Sequence, residues 1–440
     1  MTKSLFERVL FLYVLCFFIQ PERIISLFFP ALKIINGFPT ILFFLIILLW
    51  LLESRSRRQV SIPVLTLVIV FVFCMGISSI FARNTGRARQ MLIPMIYFLI
   101  FYYIIISQID CEEKFWNLLK IYIWSAVILS VLGLIGGGKI ANIPELNDEN
   151  QFGAFFAMFL SFPAFLATSS QDRLKRYFYF CLTMLCIIAV VVTASRGASI
   201  GLFGALIYLF VKSPKKSKIV LGAVLVTVLG YGVMQDTLQN TRYGREIRSI
   251  FSVREEVQER SGTAASRIFL WKMGMKMFAK SPVIGVGPEN FGVHLPDYAE
   301  KYYDQKVGLA YYGQIIHNDY LELLVGTGIL GLTVFLSILL SSFRMNQTTR
   351  RMIRSMQKNQ ELNQGVFPLS AITLRMYYNL TFAIEASQVC YMICMFFYGL
   401  AYYKKFFWSL LLISTALYVF VTKTSKRDEQ FPQPETLSRI

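Results

Sequence analysis

The chain has two histidines, the side chains best suited to proton transfer near neutral pH: His294 and His317. His294 lies in a stretch rich in Gly and Pro, where we expect a structural or solvated role. His317 precedes Asn318 and Asp319, both suited to cap a helix, and an apolar run follows. The positive end of that helix dipole would favour a neutral imidazole, which can accept a proton. These residues leave two roles open for His317, a general base and an interfacial or capping residue.

Arg196 lies between two apolar runs, in Thr193-Ala194-Ser195-Arg196-Gly197, with almost no polar linker. Ser195 is suited to cap the second run, which would put Arg196 at a positive helix end. A helix N-terminus with an arginine is suited to bind phosphate oxygens. By position alone, an interfacial arginine that reaches lipid phosphates fits equally well.

Other charged residues interrupt or border the apolar runs. Arg83, Arg87 and Arg89 follow the third run, and we interpret them as a secondary anion-binding set. Glu322 and Glu385 lie inside apolar runs. An acid in such a place is a functional candidate or the partner of an arginine.

The sequence contains no motif for a resident metal or nucleotide. It has no Walker loop, no His-Glu-x-x-His and no nucleophile elbow. The pairs Cys181/Cys186 and Cys390/Cys394 offer too few donors for a metal site, and we expect them to be small packing residues. The sequence therefore predicts neither a metal nor a cofactor.

The overall composition predicts that membrane-spanning helices position these residues. The 440 residues are 55% hydrophobic and 16% charged, which excludes a soluble multidomain enzyme and a disordered chain. Lys and Arg (44) outnumber Asp and Glu (26), for a net charge of +18. We attribute this excess to the cytoplasmic loops of a membrane protein and not to nucleic-acid binding.

The apolar runs predict an all-α integral membrane protein with about twelve transmembrane helices. The predicted spans are 5–20, 28–52, 60–81, 92–107, 116–136, 152–168, 177–193, 197–211, 218–235, 318–343, 376–400 and 404–421. The second run is interrupted at Asn36-Gly37-Phe38-Pro39, which predicts a kink or an interfacial piece. Basic loops, among them Arg344 to Lys358, place both termini in the cytoplasm.

The chain then divides into four regions. These are spans one to nine (1–235), one long outside (periplasmic) loop with amphipathic helices (236–317), spans ten to twelve (318–422) and a cytoplasmic tail (423–440). Within the loop, Ser266 to Ala279 has the apolar periodicity of an amphipathic helix. A break follows at Ser281-Pro282 and at Gly285-Val286-Gly287-Pro288.

Four local patterns resemble the O-antigen ligase and polymerase superfamily of bacterial envelope glycan enzymes, over roughly 150 to 340. The patterns are Asn147-Asp148-Glu149-Asn150-Gln151-Phe152-Gly153-Ala154, Thr193-Ala194-Ser195-Arg196-Gly197-Ala198, a block from Ser266-Arg267 and Trp271 to Gly285-Val286-Gly287-Pro288-Glu289-Asn290-Phe291, and His317-Asn318-Asp319-Tyr320-Leu321 running into Gly326-Thr327-Gly328-Ile329-Leu330-Gly331. One departure is Glu149, where the family often has proline, and this leaves the geometry of that turn open.

The resemblance implies a glycosyltransferase in the bacterial cytoplasmic (inner) membrane, with its active site on the outer face. It implies transfer of a glycan from undecaprenyl diphosphate to an acceptor hydroxyl, with no metal. Carried over by motif, Arg196 and Arg267 would bind the diphosphate and His317 would activate the acceptor. Glu322 is a secondary candidate.

Three alternatives remain beside a ligase that uses the lipid A core as acceptor. A polymerase would use the same chemistry with a glycan acceptor. A protein-glycosylating enzyme is less favoured, because only a short tail follows the last span. A transporter of the lipid-linked glycan would place ionisable residues along a path at the membrane midplane, whereas the candidates here gather at one face.

Overall fold

The computed structural model describes residues 2–52, 62–140, 143, 146–193, 195–212, 262–303, 311–362, 369–399 and 405–429, and every regular element among them is helical. The α-helices are α1 (Thr2–Ile19), α2 (Pro21–Phe28), α3 (Phe38–Leu52), α4 (Leu65–Ile80), α5 (Thr85–Gln108), α6 (Glu112–Ile135), α7 (Glu149–Phe159), α8 (Ser161–Ser169), α9 (Arg173–Val192), α10 (Arg196–Lys212), α11 (Gly262–Lys280), α12 (Phe291–Tyr303), α13 (Asp319–Leu362), α14 (Ala371–Cys394) and α15 (Lys405–Glu429). A 3-10 helix, Pro30–Gly37, precedes α3.

Seven helical segments in the described part of the chain are long and apolar enough to cross a membrane. They are Ile34–Leu52, Thr85–Gln108, Glu112–Ile135, Glu149–Ser169, Arg173–Val192, Asp319–Glu361 and Phe407–Arg427. The chain is therefore an all-α, multi-pass membrane protein, as the apolar runs predict. The predicted ninth span, 218–235, and the loop residues up to 261 lie outside the described residues.

Two predicted spans are each divided in the structure. The run 28–52 consists of the 3-10 helix followed by α3, so the predicted interruption is present. The run 152–168 is divided between α7 and α8 at Leu160. Pro163 explains this break, because it has no N–H to donate to the carbonyl of Phe159 and its ring crowds that carbonyl.

Helix α13 extends well past the predicted tenth span. The segment Arg344 to Lys358, expected to be a connecting loop, is helical throughout. Its sequence contains no Gly or Pro and is rich in strong helix formers such as Arg, Met and Gln. Ile353 and Met356 are buried, so this part of the helix also packs against its neighbours.

Helix α13 is interrupted at Gly328, where φ is 68° and ψ is −172°. This conformation is essentially restricted to glycine. The break separates the carbonyls of Val325 and Gly326 from their usual helical donors. The turn that follows α11 replaces those donors, because Val286 N–H bonds the Val325 carbonyl (2.8 Å) and Gly287 N–H bonds the Gly326 carbonyl (3.0 Å).

The same turn is tied to the junction between α4 and α5. Ser78 Oγ of α4 donates to the Gly326 carbonyl at 2.5 Å. The fully buried Asn290 accepts from the Asn84 amide (2.8 Å) and donates to the Asn84 carbonyl (3.1 Å). Asn84 in turn caps α5 by accepting from the Arg87 amide at 3.0 Å. The polar segment after α11 is thus held to the helix ends around it.

On α10 and α13, basic residues lie at the end of the helix opposite to the candidate residues. Helix α10 begins at Arg196, and α13 begins two residues after His317. The far parts of these helices carry Lys212, Arg351 and Arg354. Arg196 and His317 therefore lie at the ends of α10 and α13 that are opposite to these basic residues.

We predict that Gly328→Ala destabilises the protein by about 1–3 kcal/mol or more. A Cβ at this position would lie 2.1 Å from the Val283 carbonyl oxygen, in addition to the backbone strain. The matched control is Gly76→Ala in α4, where a Cβ meets no atom within 4 Å. The measurement is thermal unfolding in detergent. Equal melting temperatures for the two variants would contradict a strained, closely packed Gly328.

Candidate functional site

The first turn of α10 has the geometry that its sequence predicts. Ser195 is buried, and its Oγ accepts from the Ala198 amide at 3.3 Å, which makes Ser195 the N-cap. Arg196 is the first residue of the helix and is partly exposed. Arg196 therefore stands at the positive end of the helix dipole, where negative charge is favoured.

The motif that begins α7 packs against this turn. Asp148 caps α7 by accepting from the amides of Asn150 (2.9 Å) and Gln151 (3.1 Å). Glu149 is the first helical residue, a position that suits both proline and an acid. The departure from the family pattern thus leaves the turn intact. A Cβ at Gly153 would lie 2.5 Å from Thr193 Oγ1, so the two motifs are in close contact.

Helix α10 also lies close to the end of α14. A Cβ at Gly197 would be 2.2 Å from the Tyr398 hydroxyl, and one at Gly201 would be 2.5 Å from Cys394 Sγ. Small residues permit such close approach of membrane helices. The Tyr398 hydroxyl, four residues beyond α14, hydrogen-bonds Ser195 Oγ.

His317 has a left-handed backbone, with φ of 53°, directly before α13. Its neighbour Asn318 accepts from the Leu321 amide at 3.1 Å and is the N-cap. The Asp319 amide donates to the Met395 carbonyl at 2.7 Å, and Tyr320 Oη donates to the Met392 carbonyl at 2.8 Å. The histidine therefore stands at the start of a helix that is anchored to the end of α14.

Helix α11 contacts the residue before the histidine. Trp271 Nε1 donates to the Ile316 carbonyl at 3.1 Å. Arg267 lies one turn earlier on the same helix, four residues from Trp271, so that both share a face. Helix α11 includes the predicted amphipathic helix Ser266 to Ala279 and extends it at both ends.

The secondary arginines have local partners. Arg83 forms an exposed ion pair with Asp297 of α12, at 2.5 Å. Arg87 lies over the ring of Tyr312, with 5.1 Å from Cζ to the ring centroid, and Arg89 Nε donates to the Thr85 carbonyl at 3.4 Å. An anion-binding role for these three residues stays a prediction.

His294 lies on α12, in the same neighbourhood. Burial, and then the charge of Arg83, lower its pKa, while the charge of Asp297 acts in the opposite direction. The lowered pKa favours the neutral imidazole, and the structural or solvated role of His294 stays a prediction.

The two acids within apolar runs differ in their surroundings. Glu322 is buried in the first turn of α13, close in sequence to His317, and its amide donates to the Asn318 carbonyl at 2.8 Å. Glu385 pairs with Arg350 at 2.8 Å and also accepts from the Tyr208 hydroxyl. Glu385 is therefore a paired acid, one of the two roles expected for it.

A chain of direct contacts links the sequence-selected residues. Four contacts form it, and short stretches of sequence join one contact to the next. The contacting pairs are Gly153 and Thr193, Ser195 and Tyr398, Met395 and Asp319, and Ile316 and Trp271. Sequence reasoning overlooked Tyr398, which lies near the end of the predicted span 376–400 and belongs to no recognisable motif. Within the described residues, no three His, Cys, Asp or Glu side chains are grouped to hold a metal.

Comparisons with known proteins match this part of the chain. Residues 181–336, which include Ser195, Arg196, Arg267 and His317, match the family described as O-antigen ligase. The exopolysaccharide production protein ExoQ of Rhizobium meliloti (strain 1021) is 29% identical over 84 residues, which cover 19% of this chain and 19% of that protein. These likenesses agree with the four motifs, which resemble the O-antigen ligase and polymerase superfamily, and the match to ExoQ spans about a fifth of that protein's length.

Proposed function

We propose that this protein is a glycosyltransferase that moves a glycan from undecaprenyl diphosphate to an acceptor hydroxyl. It acts in the bacterial cytoplasmic membrane, with its site at the periplasmic face. The lipid A core is the acceptor we favour. The protein's own chemical groups suffice for this transfer, and it requires no cofactor.

One observation carries the proposal. The helix start with Arg196 and the helix start after His317 are both tied to the segment Cys394–Tyr398, and the α11 face with Arg267 is tied through Trp271 to the residue before His317. Arginines and a helix N-terminus suit an anionic diphosphate, and a neighbouring imidazole suits an alcohol proton. A bundle end with this chemistry fits a donor that is both anionic and anchored in the membrane.

The reaction follows from these groups. His317 accepts the proton of the acceptor hydroxyl as its oxygen attacks the anomeric carbon of the donor sugar. The bond from that carbon to the diphosphate oxygen breaks, and the electron pair leaves with the diphosphate. Arg196 and Arg267 stabilise the charge that develops on the departing group. The products are the glycosylated acceptor and undecaprenyl diphosphate.

A polymerase is the second candidate, and the likeness to ExoQ favours it because that protein's name refers to exopolysaccharide production. The two functions share donor chemistry and differ in the acceptor. Purified protein with lipid-linked glycan, offered lipid A core and free repeat unit separately, distinguishes them on a gel. A single shift of the core indicates a ligase, whereas a ladder indicates a polymerase.

We predict that His317→Asn lowers transfer by about 10²–10⁴-fold, the usual contribution of a general base. Asparagine tolerates the left-handed backbone of this position, so the variant removes the imidazole without adding strain. Initial transfer rates in liposomes are the measurement, and undiminished transfer would exclude His317 as the base.

Arg196→Ala and Arg267→Ala are each expected to raise the KM for the donor and to lower kcat, because charge is stabilised in both the bound and the transition state. Donor-dependent kinetics on the inserted proteins test this. A transporter would retain flipping of the lipid-linked glycan after both substitutions, so a flipping assay on the same liposomes separates the two classes of protein.

Trp271 has a positioning role in this proposal, since its indole N–H holds the carbonyl that precedes His317. Trp271→Phe keeps a ring but loses a hydrogen bond of about 1 kcal/mol, so we expect kcat to fall about 5-fold. The matched control is Trp116→Phe, which removes the bond from indole N–H to Glu112 (3.3 Å) at the start of α6. Similar kcat values for both variants would refute a role specific to Trp271.

A further inference from the structure

Tyr398 lies outside the residues matched by the family model, yet it contacts the turn of α10 that begins with Arg196. Its side chain is 3% exposed, and its hydroxyl bonds Ser195 Oγ, the cap of the turn that begins with Arg196. The hydroxyl thus contacts the first turn of α10 directly, and the segment that carries it is linked through Met395 and the start of α13 to Trp271 of α11.

Neighbouring residues leave the phenol little freedom. A Cβ on Gly197 would lie 2.2 Å from the hydroxyl oxygen and 2.5 Å from Cζ of the ring. The glycine therefore allows the phenol to reach Ser195, and its backbone limits how far the ring can shift. The carbonyl of Met395, three residues earlier, holds the start of α13 through the Asp319 amide.

We infer that Tyr398 is a positioning residue of the anion site, which sets the first turn of α10, with Arg196, relative to Arg267. This inference rests on the proposed function, since it assigns the two arginines to one diphosphate. The Tyr398–Ser195 hydrogen bond fixes the cap, and the cap fixes the direction in which the arginine leaves the helix. A diphosphate that needs both guanidinium groups is sensitive to their spacing.

The test is the Kd of the purified full-length protein for undecaprenyl diphosphate, together with donor KM and kcat. Tyr398→Phe removes only the oxygen and is expected to weaken binding about 10-fold, with KM more affected than kcat. Gly197→Ala displaces the phenol and should reproduce this result. Because Tyr398 acts through Ser195, the double variant with Ser195→Ala should be no weaker than Ser195→Ala alone.

The matched control is Tyr102→Phe, because Tyr102 is another buried tyrosine whose hydroxyl bonds a neighbouring hydroxyl, Thr415 Oγ1, at 2.7 Å. A merely structural role for Tyr398 predicts similar melting temperatures for the two Phe variants and wild-type Kd for both. That outcome overturns the inference. The inference also fails if the losses of binding free energy caused by Tyr398→Phe and Ser195→Ala add in the double variant.

Failure of the proposed function gives a different result. If Arg196→Ala and Arg267→Ala bind undecaprenyl diphosphate as tightly as the wild type, the anion site itself is wrong. If both arginine variants lose binding while Tyr398→Phe keeps it, only the positioning role of Tyr398 fails.

Discussion

The break in α13 at Gly328 is the constraint on which the site end of the bundle depends. An interrupted helix leaves carbonyl oxygens without donors, and lipid supplies none. The turn after α11 supplies the missing N–H groups from Val286 and Gly287, and Ser78 adds a hydroxyl. A polar segment between two membrane helices thereby becomes part of the packed structure, and its position determines where α11 and α12 lie.

The end of α14 is the second organising feature. The segment Cys394–Tyr398 meets the start of α10 through Gly197 and the start of α13 through Asp319. Two helix N-termini therefore converge on the end of a third helix. N-termini carry partial positive charge and the C-terminal end of α14 carries partial negative charge, so the three helix ends are electrostatically complementary.

Local sequence predicted the helices and their caps well. Ser195 and Asn318 were identifiable as caps because capping depends on residues within one turn. The amphipathic pattern after Ser266 likewise predicted α11, since its apolar periodicity is itself local. The interruption near Gly37 was visible for the same reason.

The features that sequence reasoning missed depend on distant partners. The Arg83–Asp297 ion pair joins residues 214 apart in sequence, and the Ser195–Tyr398 bond joins residues 203 apart. Neither pairing can be read from periodicity. The helical course of Arg344 to Lys358 was missed for another reason, because a basic, polar pattern is compatible with both a loop and a solvated helix.

The close fit of α10 against α14 has a mechanical consequence. At Gly197, Gly201 and Gly204, a Cβ would overlap side chains of α14 or of the segment that follows it, so little free space separates the two backbones. Helices packed at this distance slide or tilt together, since packed interfaces do not deform continuously. Arg196 is then carried on a rigid two-helix unit. If the proposed function is correct, a large glycan gains entry by movement of other segments, and Arg196 keeps its place on this unit.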